Sequence, residues 1–145
     1  YDVVYLDPPY NNRQYGANYS PLNYIAKYDD SIKINGKTGL MENYNKSLFC
    51  SKMKCDQTFE KMIQDVKCKY LLVSYNSEGI ANFENIKEIL LKKGDVTLYK
   101  LQLKKFKTIQ AVKESYKIEY LWFCKVKQNT QSENSYREQE VESDD

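Results

Sequence analysis

The sequence predicts an α/β domain whose sheet is mostly parallel, with one antiparallel strand near its end. Three observations carry this. Two apolar runs, "DVVYL" (2–6) and "KYLLVSYNS" (69–77), lack the in–out alternation of a half-exposed strand, as expected of strands buried on both faces. Segments with helical spacing of apolar residues stand before and after the second run. Two longer β-branched and aromatic runs then follow one another with no helix between them, so one must run against the others.

Taken in order, "DVVYL" ends at Asp7, where Pro8 and Pro9 lack the N–H groups that would continue a ladder. Residues 11–50 are rich in Asn, Tyr, Gly and Lys and show no period beyond a short helix over Pro21–Tyr28; so long a connection is usually functional. From Lys54 to Cys68, the positions Cys55, Phe59, Met62, Ile63 and Val66 fall on one helical face. After the second strand, "NFENIKEILLKKG" places Phe83, Ile86, Ile89 and Leu90 on one side. Lys92 and Lys93 fill its last turn, and Gly94 reads as the C-terminal cap. "VTLYKLQL" (96–103) and "IEYLWFCKV" (118–126) read as strands joined in a long hairpin, with Trp122 in the core. The polar, acidic stretch 128–145 reads as a disordered tail behind a folded unit over 1–127.

The 145 residues suffice for one domain. No apolar run reaches the about 18 residues of a membrane-spanning helix, and the first residues do not form a signal peptide. Cys50, Cys55, Cys68 and Cys124 show no CxxC spacing and histidine is absent, so neither a zinc site nor another metal centre is expected. Reduced thiols and a cytoplasmic setting fit this usage. The formal charge of +2 conceals an asymmetry. Residues 128–145 hold six acids and one base, leaving 21 bases against 14 acids over 1–127. The body suits an anionic partner.

The opening turn carries the chemistry. In open α/β sheets ligands bind beyond the carboxyl ends of the strands, and Asp7 stands there. A carboxylate at that place needs a partner or a task. The two prolines stiffen the turn while leaving carbonyl acceptors, and Tyr10 adds a flat ring. A planar heterocycle bearing an exocyclic amino group suits such a platform.

These residues resemble a known family. "DPPYNNRQYGANY", "GKTGL", "SYNSEG" and "EYLWF" are similar in order and spacing to D12-type adenine-N6 DNA methyltransferases of bacterial restriction–modification systems, over nearly all of 1–127. The resemblance implies the C-terminal half of a Rossmann-like methyltransferase domain. It also implies S-adenosylmethionine as methyl donor, double-stranded DNA with a flipped adenine as acceptor, and a cognate restriction endonuclease as possible partner. Asp7, Pro8 and Tyr10 take the catalytic positions, with Asp7 also facing the cofactor. The family's glycine-rich cofactor loop lies upstream of DPPY. The five glycines here, at 16, 36, 39, 79 and 94, form no G-x-G, so the fragment alone is expected to be inactive.

Candidate DNA contacts follow. Arg13, Tyr15 and Tyr19 mix charge with aromatic rings past the catalytic turn. Lys37 lies in "NGKTG" between two turn-forming glycines; a Walker motif would need glycine where Ser31 stands. Asn76 and Glu78 either orient substrate or cap the following helix. Lys104, Lys105 and Lys107 stud the last hairpin. Two other readings keep parts of this picture: an amino methyltransferase acting on cytosine N4, RNA or protein, and an inactive DNA-binding or interaction module.

Overall fold

The computed structural model describes residues 1–104, 116–127 and 133–141. Seven strands and four α-helices occur among them: β1 Val3–Leu6, α1 Tyr15–Asn18, α2 Ser20–Lys27, β2 Ile34–Asn35, β3 Leu40–Met41, α3 Cys55–Asp65, β4 Tyr70–Asn76, α4 Phe83–Leu91, β5 Gly94–Lys104, β6 Tyr116–Val126 and β7 Tyr136–Val141. A 3₁₀ turn, Leu48–Cys50, leads into α3.

Five strands form one sheet in the order β1-β4-β6-β5-β7. β1 runs parallel to β4, and β7 parallel to β5. β6 runs against both β4 and β5. Four strands therefore share one direction and β6 alone opposes them, in a mixed α/β architecture with a mostly parallel sheet. The lone antiparallel strand is not at the edge; it is inserted between β4 and β5.

Helices α3 and α4 cover one sheet face. Phe59 and Ile63 from α3, and Ile86, Ile89 and Leu90 from α4, close over Leu71, Val73, Val96, Leu98, Trp122 and Cys124. Trp122 is fully buried, as its strand pattern predicts, and packs against Phe83 with ring centroids 4.9 Å apart. The opposite face and the β1 edge are more open: Val3 is 54% and Tyr5 58% exposed.

Two helix ends are closed by specific contacts. Asn82 caps α4, its side chain accepting from the Glu84 and Asn85 N–H groups. The Lys93 ammonium donates to the carbonyls of Ile63, Gln64 and Val66, which α3 leaves without intrahelical partners. Gly94 is no left-handed cap: positive-φ glycines are Gly36 and Gly39 alone among the described residues. Gly94 instead opens β5, where an added Cβ would lie 2.0 Å from the Lys125 carbonyl oxygen. Glycine is required there by the closeness of the neighbouring strand, not by φ.

The tail expected to be disordered holds a strand. β7 is fastened at its start, where the Val96 N–H donates to the Ser135 carbonyl at 2.8 Å. The Ser135 N–H and hydroxyl donate to Asp95 at 2.8 and 3.0 Å, and Lys127 pairs with Asp95 at 2.8 Å. Tyr136 packs beside Trp122 and beneath the Lys87 ammonium, 4.1 Å from its ring centroid. Lys100 pairs with Glu138. Lysines from β5 and α4 thus receive an acidic edge strand that has little apolar surface of its own.

This fastening is acid-sensitive. Lys127 above all, with Ser135, holds the Asp95 carboxyl from its ordinary 3.8 down to about 2. A depressed folded-state value contributes stability present above about pH 3.8 and lost as pH falls through about 2. Acidification across that window should deprotect the Val96 amide to hydrogen exchange while amides of β4 stay protected. Equal protection of Val96 at pH 5 and pH 2, taken as about the two ends, would contradict the linkage.

Candidate active site

The carboxyl ends of β1 and β4 lie side by side, because Leu6 is in register with Val73. Asp7 leaves β1 at that edge and is exposed, its side chain without a hydrogen bond or ion pair to any described residue. Pro8 is buried and Tyr10 is 39% exposed. Among the described residues no backbone N–H donates to the Pro8 carbonyl outside the strands and helices. The turn therefore offers a carboxylate, a carbonyl and a ring at one edge.

Segment 74–81 holds this turn in place. The Ile80 N–H donates to the Tyr10 carbonyl at 2.9 Å, a backbone bond that joins DPPY to SYNSEG. The loop is itself pinned from below. Asn76, buried, accepts from the Glu78 N–H through its side chain at 3.0 Å and from the Gly79 N–H through its carbonyl at 3.1 Å. The Tyr75 hydroxyl accepts from the Ala81 N–H at 2.9 Å. Burial pushes the Tyr75 phenol up to about 12, keeping it neutral as a structural group. Asn76 and Glu78 do not cap α4; Asn82 does.

Gly79 lies directly on the Tyr75 ring, where an added Cβ would stand 2.1 Å from Cε1. That ring is fixed by Phe59, edge-on at 5.4 Å. Gly79→Ala should therefore displace the loop rather than the ring, at about 1–3 kcal/mol. It should also break the Ile80–Tyr10 bond. Chemical denaturation measures the first effect, and exchange of the Ile80 amide the second; an unchanged Ile80 amide would refute the coupling.

β6 reaches the same edge from the other direction. The Ser77 N–H donates to the Ile118 carbonyl at 2.8 Å, and the Ile118 N–H returns a bond to the Ser77 hydroxyl at 3.0 Å. Lys117, one residue earlier, pairs with Glu119 at 2.5 Å. Glu119 holds the Lys117 ammonium above the ordinary lysine range, and the Tyr10 phenol and Glu78 carboxylate add to this.

The predicted DNA contacts divide. Arg13, Tyr15 and Tyr19 follow the turn and are exposed; the Tyr15 and Tyr19 rings stack on each other at 6.0 Å and 4°. Gln14 fastens this segment to Ser47 by two bonds, of 3.2 and 2.7 Å. Lys37 is exposed in the turn of the β2–β3 hairpin, flanked by Gly36 and Gly39, each at φ +68°. The buried Ser20 hydroxyl accepts from the Met41 N–H at 2.6 Å, locking this hairpin to α2. Lys104 ends β5 three residues beyond Leu101, which shares its level with Glu119 and hence Asn76. It therefore projects past the carboxyl edge. Lys105 and Lys107 lie outside the described residues. Asn76 points inward, its side-chain oxygen occupied by the loop.

Sequence reasoning missed Gln14 and Ser77. Each acts through a partner distant in the chain, Ser47 and Ile118, which local spacing does not reveal. Among the described residues no group of three or more Cys, Asp or Glu side chains could hold a metal ion, and no helix is long and apolar enough to cross a membrane. A cleft of about 640 Å³, lined by Lys67, Lys69 and Lys127, opens elsewhere, at the amino end of β4 and the carboxyl end of β6.

The Asp-Pro-Pro-Tyr turn thus stands at the carboxyl edge of an α/β sheet, bonded to a second loop at that edge. The chain belongs to the family of D12 class N6 adenine-specific DNA methyltransferases, which it matches over residues 1–89. It is 43% identical over 116 residues to the Type II methyltransferase M.NlaIII of Neisseria lactamica, covering 80% of this chain and 34% of that protein. Over 126 residues it is 39% identical to the Type II methyltransferase M.FokI of Planomicrobium okeanokoites, covering 84% of this chain and 19% of that protein. It is also 39% identical over 128 residues to the Type II methyltransferase M.CviAII of Paramecium bursaria Chlorella virus 1, covering 88% of this chain and 38% of that protein. The chain thus spans between about a fifth and two fifths of these relatives. No solved structure matches it.

Proposed function

We propose that this chain is the acceptor-base part of a DNA adenine-N6 methyltransferase that uses S-adenosylmethionine within a restriction–modification system, alongside a cognate endonuclease. The observation that carries the reading is the Asp7–Tyr10 turn. It brings the exposed Asp7 carboxylate, the carbonyl of the buried Pro8 and the Tyr10 ring to the carboxyl edge, tied to the SYNSEG loop through Ile80. Family membership and the Type II names of the relatives support it.

Adenine's amino nitrogen is a poor nucleophile, because its lone pair is delocalised into the ring. The Asp7 carboxylate and the Pro8 carbonyl accept hydrogen bonds from its two N–H groups. That draws the nitrogen toward a tetrahedral shape and localises the lone pair. Acceptors fixed before the reaction stabilise the positive charge that develops on nitrogen, the counterpart of an oxyanion hole. Tyr10 stacks on the extruded base and offsets part of the cost of unstacking it. Asp7, an open carboxylate at the end of an edge strand, also suits a sulfonium cation by charge. S-adenosylmethionine, when bound, supplies the electrophilic methyl group. Arg13, Tyr15, Tyr19, Lys37 and Lys104, with Lys105 and Lys107, contact the DNA backbone around the site.

Incubating a methyltransferase that carries these residues with methyl-labelled donor and duplex DNA, RNA or protein tests the acceptor class. Label should enter duplex DNA. Label in RNA or protein instead would overturn the reading.

A further inference from the structure

The segment that leaves the catalytic turn is clasped to a stretch 33 residues further along the chain. Gln14 is the N-cap residue of α1, yet its side chain makes no cap bond. Its amide is turned to Ser47 instead. Nε2 donates to the Ser47 carbonyl at 3.2 Å, and Oε1 accepts from the Ser47 N–H at 2.7 Å. Such a pairing needs a side chain that offers donor and acceptor side by side, as an amide does. On either side of Gln14 the fit is equally close. The Cys50 thiol donates to the Arg13 carbonyl at 3.4 Å, and a Cβ on Gly16 would stand 2.7 Å from the Asn45 carbonyl oxygen. The partner stretch is itself anchored in the core, where Phe49 meets Phe59 edge-on at 5.2 Å. What the clasp holds is exposed. The Arg13 guanidinium has no partner among the described residues, and the stacked Tyr15 and Tyr19 rings are 55% and 51% exposed.

We propose that Gln14, clasped to Ser47, is a positioning residue that holds Arg13 against a DNA phosphate beside the extruded adenine. The inference rests on the functional reading above. Arg13 lies three residues beyond Tyr10, whose carbonyl is bonded by the Ile80 N–H. The connection 10–14 is therefore tied at both ends, to the SYNSEG loop through Ile80 and to the core-anchored stretch through Ser47. A connection fixed in this way gives the long arginine side chain a fixed base, so less ordering is left to the moment of binding. Without the Gln14 amide only the Cys50 thiol, a weak donor, would hold the far end.

The test is duplex-DNA binding and steady-state kinetics, over a range of salt concentrations, of an active methyltransferase carrying these residues. Gln14→Met keeps the length of the side chain and loses both bonds. It should raise KM for DNA about fivefold with a smaller change in kcat. It should also lower the slope of log affinity against log salt by about 1, the share of one phosphate contact. Ser47→Pro removes the partner N–H at a φ of −81° that proline accepts, and leaves residues 13–19 unchanged. It should reproduce the loss of slope, and it keeps the test decisive should Gln14→Met not fold. The double variant Arg13→Ala/Gln14→Met should show the slope of Arg13→Ala alone, because both lose one contact. A lower melting temperature with an unchanged slope in both single-site variants of the clasp would mean that it serves only the fold. That result, or a further loss of slope in the double variant, would overturn the positioning role while adenine methylation stands. Failure of the unsubstituted protein to methylate adenine would overturn the functional reading, and this inference with it.

Discussion

Asp7→Asn in an active methyltransferase carrying these residues should lower turnover by about 10²–10³, the usual loss on removing one preorganised electrostatic contact. Asparagine keeps the shape of the side chain and its place at the end of β1, in register with β4. It removes the negative charge and turns one oxygen acceptor into a donor facing the amino group. The Asp7 side chain makes no hydrogen bond or ion pair to any described residue, so the substitution removes no side-chain contact that holds the fold. The loss should therefore fall on kcat, with KM for DNA changed far less, the signature of an interaction realised in the transition state. Tyr10→Ala gives the contrast, raising KM as capture of the base weakens. Near-normal turnover in Asp7→Asn would show that the carboxylate is not the acceptor.

The largest expected effect on stability is that of Phe59→Ala, at about 3–5 kcal/mol. Phe59 is fully buried on α3 and meets two rings edge-on, Phe49 at 5.2 Å and Tyr75 at 5.4 Å. It therefore joins three parts of the molecule: the 3₁₀ turn, the helix layer and the strand that carries the SYNSEG loop. Truncation leaves a cavity that none of the three can close without giving up its other contacts. A loss of that size is a large part of the about 5–15 kcal/mol that stabilises a typical domain. Urea unfolding of the 145-residue chain measures it as a shift in midpoint with unchanged slope. A shift equivalent to about 1 kcal/mol or less would mean that the site relaxes around the gap.

What the sequence made legible follows burial. Strand β4 and helices α3 and α4 were readable because their apolar positions face one core: Phe59, Ile63, Leu71, Val73, Ile86 and Leu90 are each at most about 1% exposed. β1, read as buried on both faces, alternates instead, with Val3 and Tyr5 more than half exposed. β5 and β6 run further than their apolar runs suggested, because Lys104 at the end of β5 pairs with Tyr116 at the start of β6, beyond the core. β7 was invisible for a related reason. Its anchors are Tyr136, Ser135 and Glu138, polar groups whose partners Asp95, Lys87 and Lys100 are far away in the chain. Gly94 looked like a cap because helix-ending glycines are common, whereas the close approach of Lys125 leaves no trace in local sequence.

The site divides along the same line. Asp7, Pro8 and Tyr10 announced themselves through a strand ending in two prolines, and the structure puts that turn at the carboxyl edge. Its attachment did not show, because a backbone bond from Ile80 to Tyr10 has no residue-type signature.

The most direct test of the platform is the identity of the methylated nucleoside. Duplex DNA labelled by an active methyltransferase carrying these residues is digested to nucleosides and separated. N6-methyladenine should carry all the label, and Asp7→Asn should reduce that label without moving it elsewhere. Label on N4 of cytosine, or undiminished adenine label in Asp7→Asn, would contradict a turn in which Asp7 and Pro8 hold the adenine amino group.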